Sequence, residues 1–268
     1  MFLRFGMIVL GLGVLLAPRN LPAQNSAPAQ AAVAQAERQL VALANQSRAQ
    51  AGLAPLQWDA ALAHAALAHA QRMAAEGPIA HRYGGEMSLA ERTAAAGAHF
   101  RLVEENIAVG QSAAQIHDLW MHSEEHRANL LNPAIDRIGV ALVATRGVLY
   151  AVADYSQSVP TLTRLQVEQQ VASLTAAQGV KTSTDEPQIA QARQACDQSN
   201  GIPSDPANQP LFVMRWQSAS LDRLPQALAQ RIHSGGYHVA AVGACQPHHD
   251  AGPEQAAFTA YRIAVLLY

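Results

Sequence analysis

The sequence predicts an α+β protein made of two successive units. Three observations carry that reading. Helical spacing with capping residues marks four segments before residue 123; two β-branched, apolar runs follow at 138–144 and 148–154; and past Val159-Pro160 helices and strands begin again. The composition agrees: of 268 residues 50% are hydrophobic, 5% aromatic and only 14% charged, against roughly 25% charged in an ordinary soluble domain. Wholesale disorder, collagen-like repeats and a small disulfide scaffold are excluded.

Taken in order, residues 1–23 have the features of an export signal. Arg4 precedes an uncharged apolar run from Phe5 to Ala17, and Leu21-Pro22-Ala23 offers a small-residue cleavage site. The run is shorter than the about 20 apolar residues needed to span a bilayer. Residues 24–34 are expected to be a disordered lead-in, although helical spacing starts near 29 and runs to 51, with Val33, Leu40, Leu43 and Ser47 on one face. A second helix opens on Asp59, carries Leu62, Ala66 and Met73 on one side, and ends at Gly77-Pro78. A short helix spans Ser88 to Ala96, and another starts at Ser112, where Gln115 completes a capping-box pattern. Thr145-Arg146-Gly147 separates the two apolar runs as a hairpin turn would.

The second unit, 160–268, is expected to hold helices at 162–178, from Glu186-Pro187, and from Ser220 to about Ser234, with strands at 211–216, 237–244 and 257–267. Its two cysteines, Cys196 and Cys245, are the chain's complement, and in an exported protein they are expected to pair. Internal repetition is faint: each unit ends in a strand pair, and no fixed period is visible.

Eighteen basic residues, of which only Lys181 is lysine, leave a formal net charge of −2 and no basic stripe, so nucleic acid is excluded as a partner. Three segments of the first unit gather ionisable groups among apolar residues: Ile79-Ala80-His81, Glu104 to Ala108, and Trp120 to Pro133.

In order along the chain stand Ala80-His81, Glu105-Asn106-Ile107-Ala108, Trp120-Met121 with Ser123, His126-Arg127-Ala128-Asn129-Leu130-Leu131-Asn132-Pro133, and Ile138-Gly139-Val140. This run resembles bacterial CAP (SCP-like) domains, relatives of cysteine-rich secretory proteins, insect venom antigens and plant pathogenesis-related proteins. Asn45-Gln46-Ser47-Arg48 and Gly52 to Asp59 resemble the family's first helix and the link to its second. The resemblance covers about residues 35–157; Glu104 departs from it, standing where the family usually has Gly.

The resemblance implies an α-β-α sandwich over residues 35–159 and leaves the smaller α+β accessory domain at 160–268 unexplained. It also implies a central cleft to which His81, Glu105, Glu124 and His126 contribute. Two imidazoles with carboxylates suit zinc or another divalent cation, with open positions for water or ligand. Glu124 and His126 both face a cleft only if the helix has ended near Ser123; otherwise Glu124 is a solvated helix-end charge. Trp58 and Trp120 are expected in the core.

The function implied is a secreted or periplasmic protein that binds a divalent cation and a small ligand (lipid, glycan or peptide) without catalysis, an organic cofactor or a span remaining after signal removal. Two alternatives stand beside it. A metal-dependent hydrolase or peptidase of the cell envelope would use His122-Ser123-Glu124-Glu125-His126, which matches H-x-x-E-H, with Glu168 or Glu186 as third ligand. A structural or partner-binding envelope module would need neither metal nor reaction. His248-His249-Asp250 is expected to be an exposed turn, and His64 and His69, five apart, do not face one another.

Overall fold

A computed structural model describes residues 26–198, 200, 201, 208–245 and 259–268; the export-signal segment and His248-His249-Asp250 lie outside them. The first helix, α1 (Ser26–Gln50), starts earlier than expected, so the supposed lead-in is helical from Ser26. Pro28 falls in the first turn, where its missing N–H has no helical partner and its φ is already suitable. The alanines that follow have the highest helix propensity.

Next come β1 (Gln57–Trp58) and α2 (Ala60–Glu76), whose cap Asp59 accepts from the Ala61 and Leu62 N–H groups at 2.8 and 3.0 Å. A reciprocal Ser88/Glu91 capping box opens α3 (Leu89–Ala95). Strand β2 (Phe100–Gly110) leads to α4 (Ala113–His122). Ser112 caps α4 by accepting from the Gln115 N–H at 3.2 Å, but the Gln115 side chain takes the Gln111 N–H, one residue earlier than a true box requires. After Ser123 come α5 (Glu124–Leu130), β3 (Arg137–Thr145) and β4 (Val148–Ser158). The expected hairpin forms, with Thr145 paired in β3 and a two-residue loop of Arg146 and Gly147, both with positive φ (52° and 78°), which matches the strands' right-handed twist.

The sheet order is β1-β3-β4-β2, with β1 parallel to β3 and the other pairs antiparallel. Alternation along the strands divides the core. Val140, Leu142, Ala153 and Tyr155 pack with Leu40, Ile116 and Trp120 on one face, while Ala141, Val152 and Ile107 pack with Ala66, Ala70 and Met73 on the other. Helices therefore cover both faces, the α-β-α sandwich that was expected.

The remaining elements are α6 (Arg164–Ala176), β5 (Lys181–Thr182), α7 (Glu186–Asp197), β6 (Phe212–Ser218), α8 (Gln226–His233), β7 (Val239–Cys245) and β8 (Tyr261–Leu267). The helix expected from Ser220 starts at Gln226, because Ser218 and Ser220 bond in a turn and Pro225 occupies the cap. The second sheet has the order β5-β7-β8-β6 with the same strand directions as the first. Helices α6 and α8 cover one face and α7 the other, as α1, α4 and α2 do in the first unit. The architecture is written twice, which the faint sequence repetition concealed because the connecting segments differ in length.

A pair of glycines fixes the correspondence. A Cβ on Gly139 in β3 would overlap the Leu62–Ala63 peptide of α2, and a Cβ on Gly243 in β7 would overlap the Ala192–Arg193 peptide of α7. Each glycine lets a helix touch its sheet. Cys196 and Cys245 pair as expected, with Cα atoms 5.8 Å apart, joining α7 to β7. Among the described residues no helix is long and apolar enough to cross a membrane.

Candidate functional site

Strand β2 is an outer strand of the first sheet, opposite the β1 edge, and the site lies across it. His81 comes from the loop 77–87 between α2 and α3, on one side of the sheet. Its Nδ1 is 2.7 Å from Glu105 Oε1 in β2. The His81 side chain is 57% exposed whereas Glu105 is buried, so the imidazole bridges solvent and interior. The hydrogen bond to Glu105 raises the His81 pKa against the opposing effect of burial.

The other Glu105 oxygen accepts from the Arg92 guanidinium of α3. Directly across the β2–β4 pair from Glu105 stands Asp154, fully buried. Both Asp154 oxygens, with Nε and Nη1 of Arg92, are buried without a hydrogen-bond partner among the described residues. Burial first, and the charge of Glu105 second, push the Asp154 carboxyl well above the usual carboxylate range and favour its neutral form.

From the opposite layer, α5 brings His126 to within 6.4 Å of His81, ring centre to ring centre. Three asparagine contacts fix α5 there: Asn106 Nδ2 donates to the His126 carbonyl at 2.8 Å, and Asn129 Nδ2 donates to the Asn106 side chain and the Glu105 carbonyl at 3.1 and 3.2 Å. Burial and the neighbouring His81 charge lower the His126 pKa. The two imidazoles are thus shifted in opposite directions. Glu104 replaces the family's glycine without distorting the strand: its Oε1 accepts from Asn132 at 2.8 Å, and burial raises its pKa.

His126 and Ser123 also line a cleft of about 490 Å³ whose other walls are largely apolar, with Ile79, Leu119, Trp120 and Tyr150 among them. Ile79 and Leu119 are exposed. Trp120 is core, as expected, and its Nε1 donates to the Ile107 carbonyl at 3.1 Å. Trp58, expected in the core too, is 51% exposed, because β1 is a two-residue edge strand with both residues outward.

Of the four residues expected in the cleft, His81, Glu105 and His126 come together. Glu124 is exposed in the first turn of α5. The chain does leave the helix at Ser123 (φ −92°, ψ 127°), but a new helix starts at once, and it is Glu125 whose charge reaches both histidines. Among the described residues no hydrogen bond or ion pair joins Glu124 to the other three. The same break at Ser123 puts His122 and His126 on different helices, so the H-x-x-E-H spacing does not make one metal-binding face. His122 is exposed and turned to the Asp118 carbonyl at 2.9 Å. Glu168 and Glu186 both face Arg193, in the second unit. No group of three or more His, Cys, Asp or Glu side chains among the described residues is arranged to hold a metal ion.

Sequence reasoning missed Arg92 and Asp154, and it set aside His69, which is wholly buried while His64 is exposed. A usable signal existed: 62, 66, 69 and 73 share the buried stripe of α2, so a histidine there had to find polar partners.

Residues 41–155 match the family model for the cysteine-rich secretory protein family, CAP. They form a CAP domain. Among curated proteins, Bacillus subtilis (strain 168) YkwD is 34% identical over 116 residues, covering 42% of this chain and 44% of its own length. The membrane protein YlbC of the same organism is 34% identical over 113 residues, 40% of this chain and 31% of its length. The chain therefore spans less than half the length of either relative. Among solved structures, an extracellular SCP-domain protein from Bacillus anthracis str. Ames is 26% identical with a TM-score of 0.44, covering 46% of this chain and 41% of that one. Na-ASP-1 is 9% identical with a TM-score of 0.42, covering 87% of this chain and 88% of its own.

Proposed function

We propose that this CAP-domain protein acts outside the cytoplasm, secreted or periplasmic, and that its cleft binds a divalent cation such as zinc together with a small ligand, without catalysis. The observation that carries the reading is the approach of His81, from the opposite layer, to within 6.4 Å of His126, which lines an apolar cleft. Glu105 takes Nδ1 of His81, which leaves Nε2 for a ligand bond, the arrangement by which carboxylates orient metal-binding histidines. Both Glu105 oxygens are engaged, so it orients His81 rather than serving as a ligand. Two protein nitrogens leave positions open on a tetrahedral ion. A bound cation would supply an electrophilic point at the polar end of the cleft, and Ile79, Leu119 and Tyr150 would take an apolar part of the ligand.

Binding is favoured over catalysis because, among the described residues, no Ser, Thr or Cys side chain is hydrogen-bonded to either imidazole. The location is supported by the export-signal pattern of residues 1–23 and by the Cys196–Cys245 disulfide. Calorimetric titration of zinc into the wild type, His81→Ala, His126→Ala and Glu105→Gln tests it. The expected result is one site in the wild type, lost in both alanine variants and weakened about 10–100-fold in Glu105→Gln. Equal affinity in all four overturns the assignment.

A further inference from the structure

His81 meets Glu105 from a loop that has no regular structure of its own, so the loop must be held by side chains. We infer that His69 is the positioning residue of this site: a buried α2 imidazole that donates from both ring nitrogens and clamps the two arms of the His81 loop. The inference rests on the cleft reading above for its functional meaning but on separate contacts for its geometry.

His69 Nε2 lies 3.0 Å from the carbonyl oxygen of Ala80, in the peptide unit that leads into His81. Its Nδ1 lies 2.7 Å from Glu86 Oε1, on the returning arm. A carbonyl and a carboxylate only accept, and a neutral imidazole has a single N–H. Both bonds form together only when both nitrogens carry hydrogen. The alternative, a proton on Glu86, is disfavoured because its Oε2 accepts the Tyr83 N–H at 2.9 Å, a bond that favours the carboxylate.

Other groups face the ring. Glu105 Oε2 of β2 stands 3.9 Å from Nε2, with Arg92 of α3 and Asp154 of β4 beyond it. The Tyr83 ring lies 5.9 Å away, itself covered by Arg72, which also donates to the Gly84 carbonyl at 2.7 Å. Asparagine or glutamine carries both of its donors on one nitrogen and so cannot span two partners from separate ring positions as the imidazole does. Histidine is the residue that ties Ala80 and Glu86 to α2 at once, and losing either tie frees the backbone that presents His81 to Glu105.

Nitrogen-15 NMR of the histidine-labelled full chain, without metal and at neutral pH, tests this. The expected result is two N–H signals on the His69 ring. In Glu86→Gln the ring shows one, the amides at residues 83 and 86 exchange at least about tenfold faster while those of α2 keep their protection, and zinc binds about tenfold more weakly. A single N–H in the wild type overturns the inference, as does a Glu86→Gln variant with an unchanged ring and unchanged loop exchange. An unchanged zinc affinity beside a loosened loop overturns the positioning role. If the wild type binds no zinc, the cleft reading falls, and the ring and exchange data still decide His69.

Discussion

The two sheets of this molecule share one frame and use it differently at one rung. In the first, the strand pairings align Glu105, Asp154 and Gly139; in the second they align Arg215, Ala264 and Gly243. The glycine is common to both because it is where a helix touches the sheet. Its neighbours are not: an acid pair under Arg92 in one unit faces an arginine bonded to the Ala195 carbonyl, and an alanine, in the other.

Counting from the glycine contact, the disulfide partners Cys196 and Cys245 take the places of Ala66 and Ala141, which merely pack together in the first unit. The helices also differ in reach. Helix α2 continues past His69 to Glu76, whereas α7 stops at Asp197, before a counterpart of His69 could arise. A single helix-on-sheet joint thus supports a long helix that carries a polar cluster, or a short one fastened covalently.

The largest test of this correspondence is at the glycines. Gly139→Ala and Gly243→Ala should each cost about 4 kcal/mol or more, because the new methyl meets backbone that cannot swing aside. Denaturant unfolding measures both, and tolerance at one position alone would break the equivalence. Next, replacing Cys196 and Cys245 together by alanine gives the second unit the residues of the first. Closing a loop of 49 residues stabilises by about 4 kcal/mol in the chain-entropy model. Hydrogen exchange should then quicken in β7 and β8 while β3 and β4 hold, and zinc binding should stay as in the wild type.

The smallest effect is in pH. Because Glu105 raises the His81 pKa, the proton competes with metal from a higher pH than at an ordinary histidine. Zinc affinity should be level above that raised value and fall by about tenfold per pH unit below it. In Glu105→Gln the fall should begin at lower pH. The stability linked to His81 has the opposite sense: a raised pKa contributes below the unfolded value of 6.5 and is lost as pH rises through the folded one. Exchange in the second sheet, which lacks the acid pair, should show neither trend.

Much of the fold was legible because its signals are local. Asp59, Ser88 and Ser112 cap the helices where capping chemistry places them, and Thr145-Arg146-Gly147 turns the hairpin. Strand β2 was not placed, since the consecutive polar residues Glu104, Glu105 and Asn106 interrupt the alternation a strand would show in Phe100–Gly110. Their side-chain hydrogen-bond partners, Arg92, Asn129 and Asn132, come from other segments. Trp58 misled for the complementary reason: a large aromatic predicts burial, but its two-residue strand lies at an edge.

By itself the sequence determined the α+β class, several helix caps, the hairpin, the disulfide partners and three residues that come together, His81, Glu105 and His126. Capping, turn chemistry and motif order act over a few residues and need no knowledge of the rest. Only the tertiary structure decided that Glu105 is shared by His81 and Arg92, that Glu124 faces solvent, that His69 lies beneath the His81 loop, and that the second unit repeats the first. Those facts depend on which side chains are brought from distant segments into one desolvated space, where each charge takes its state from its neighbours.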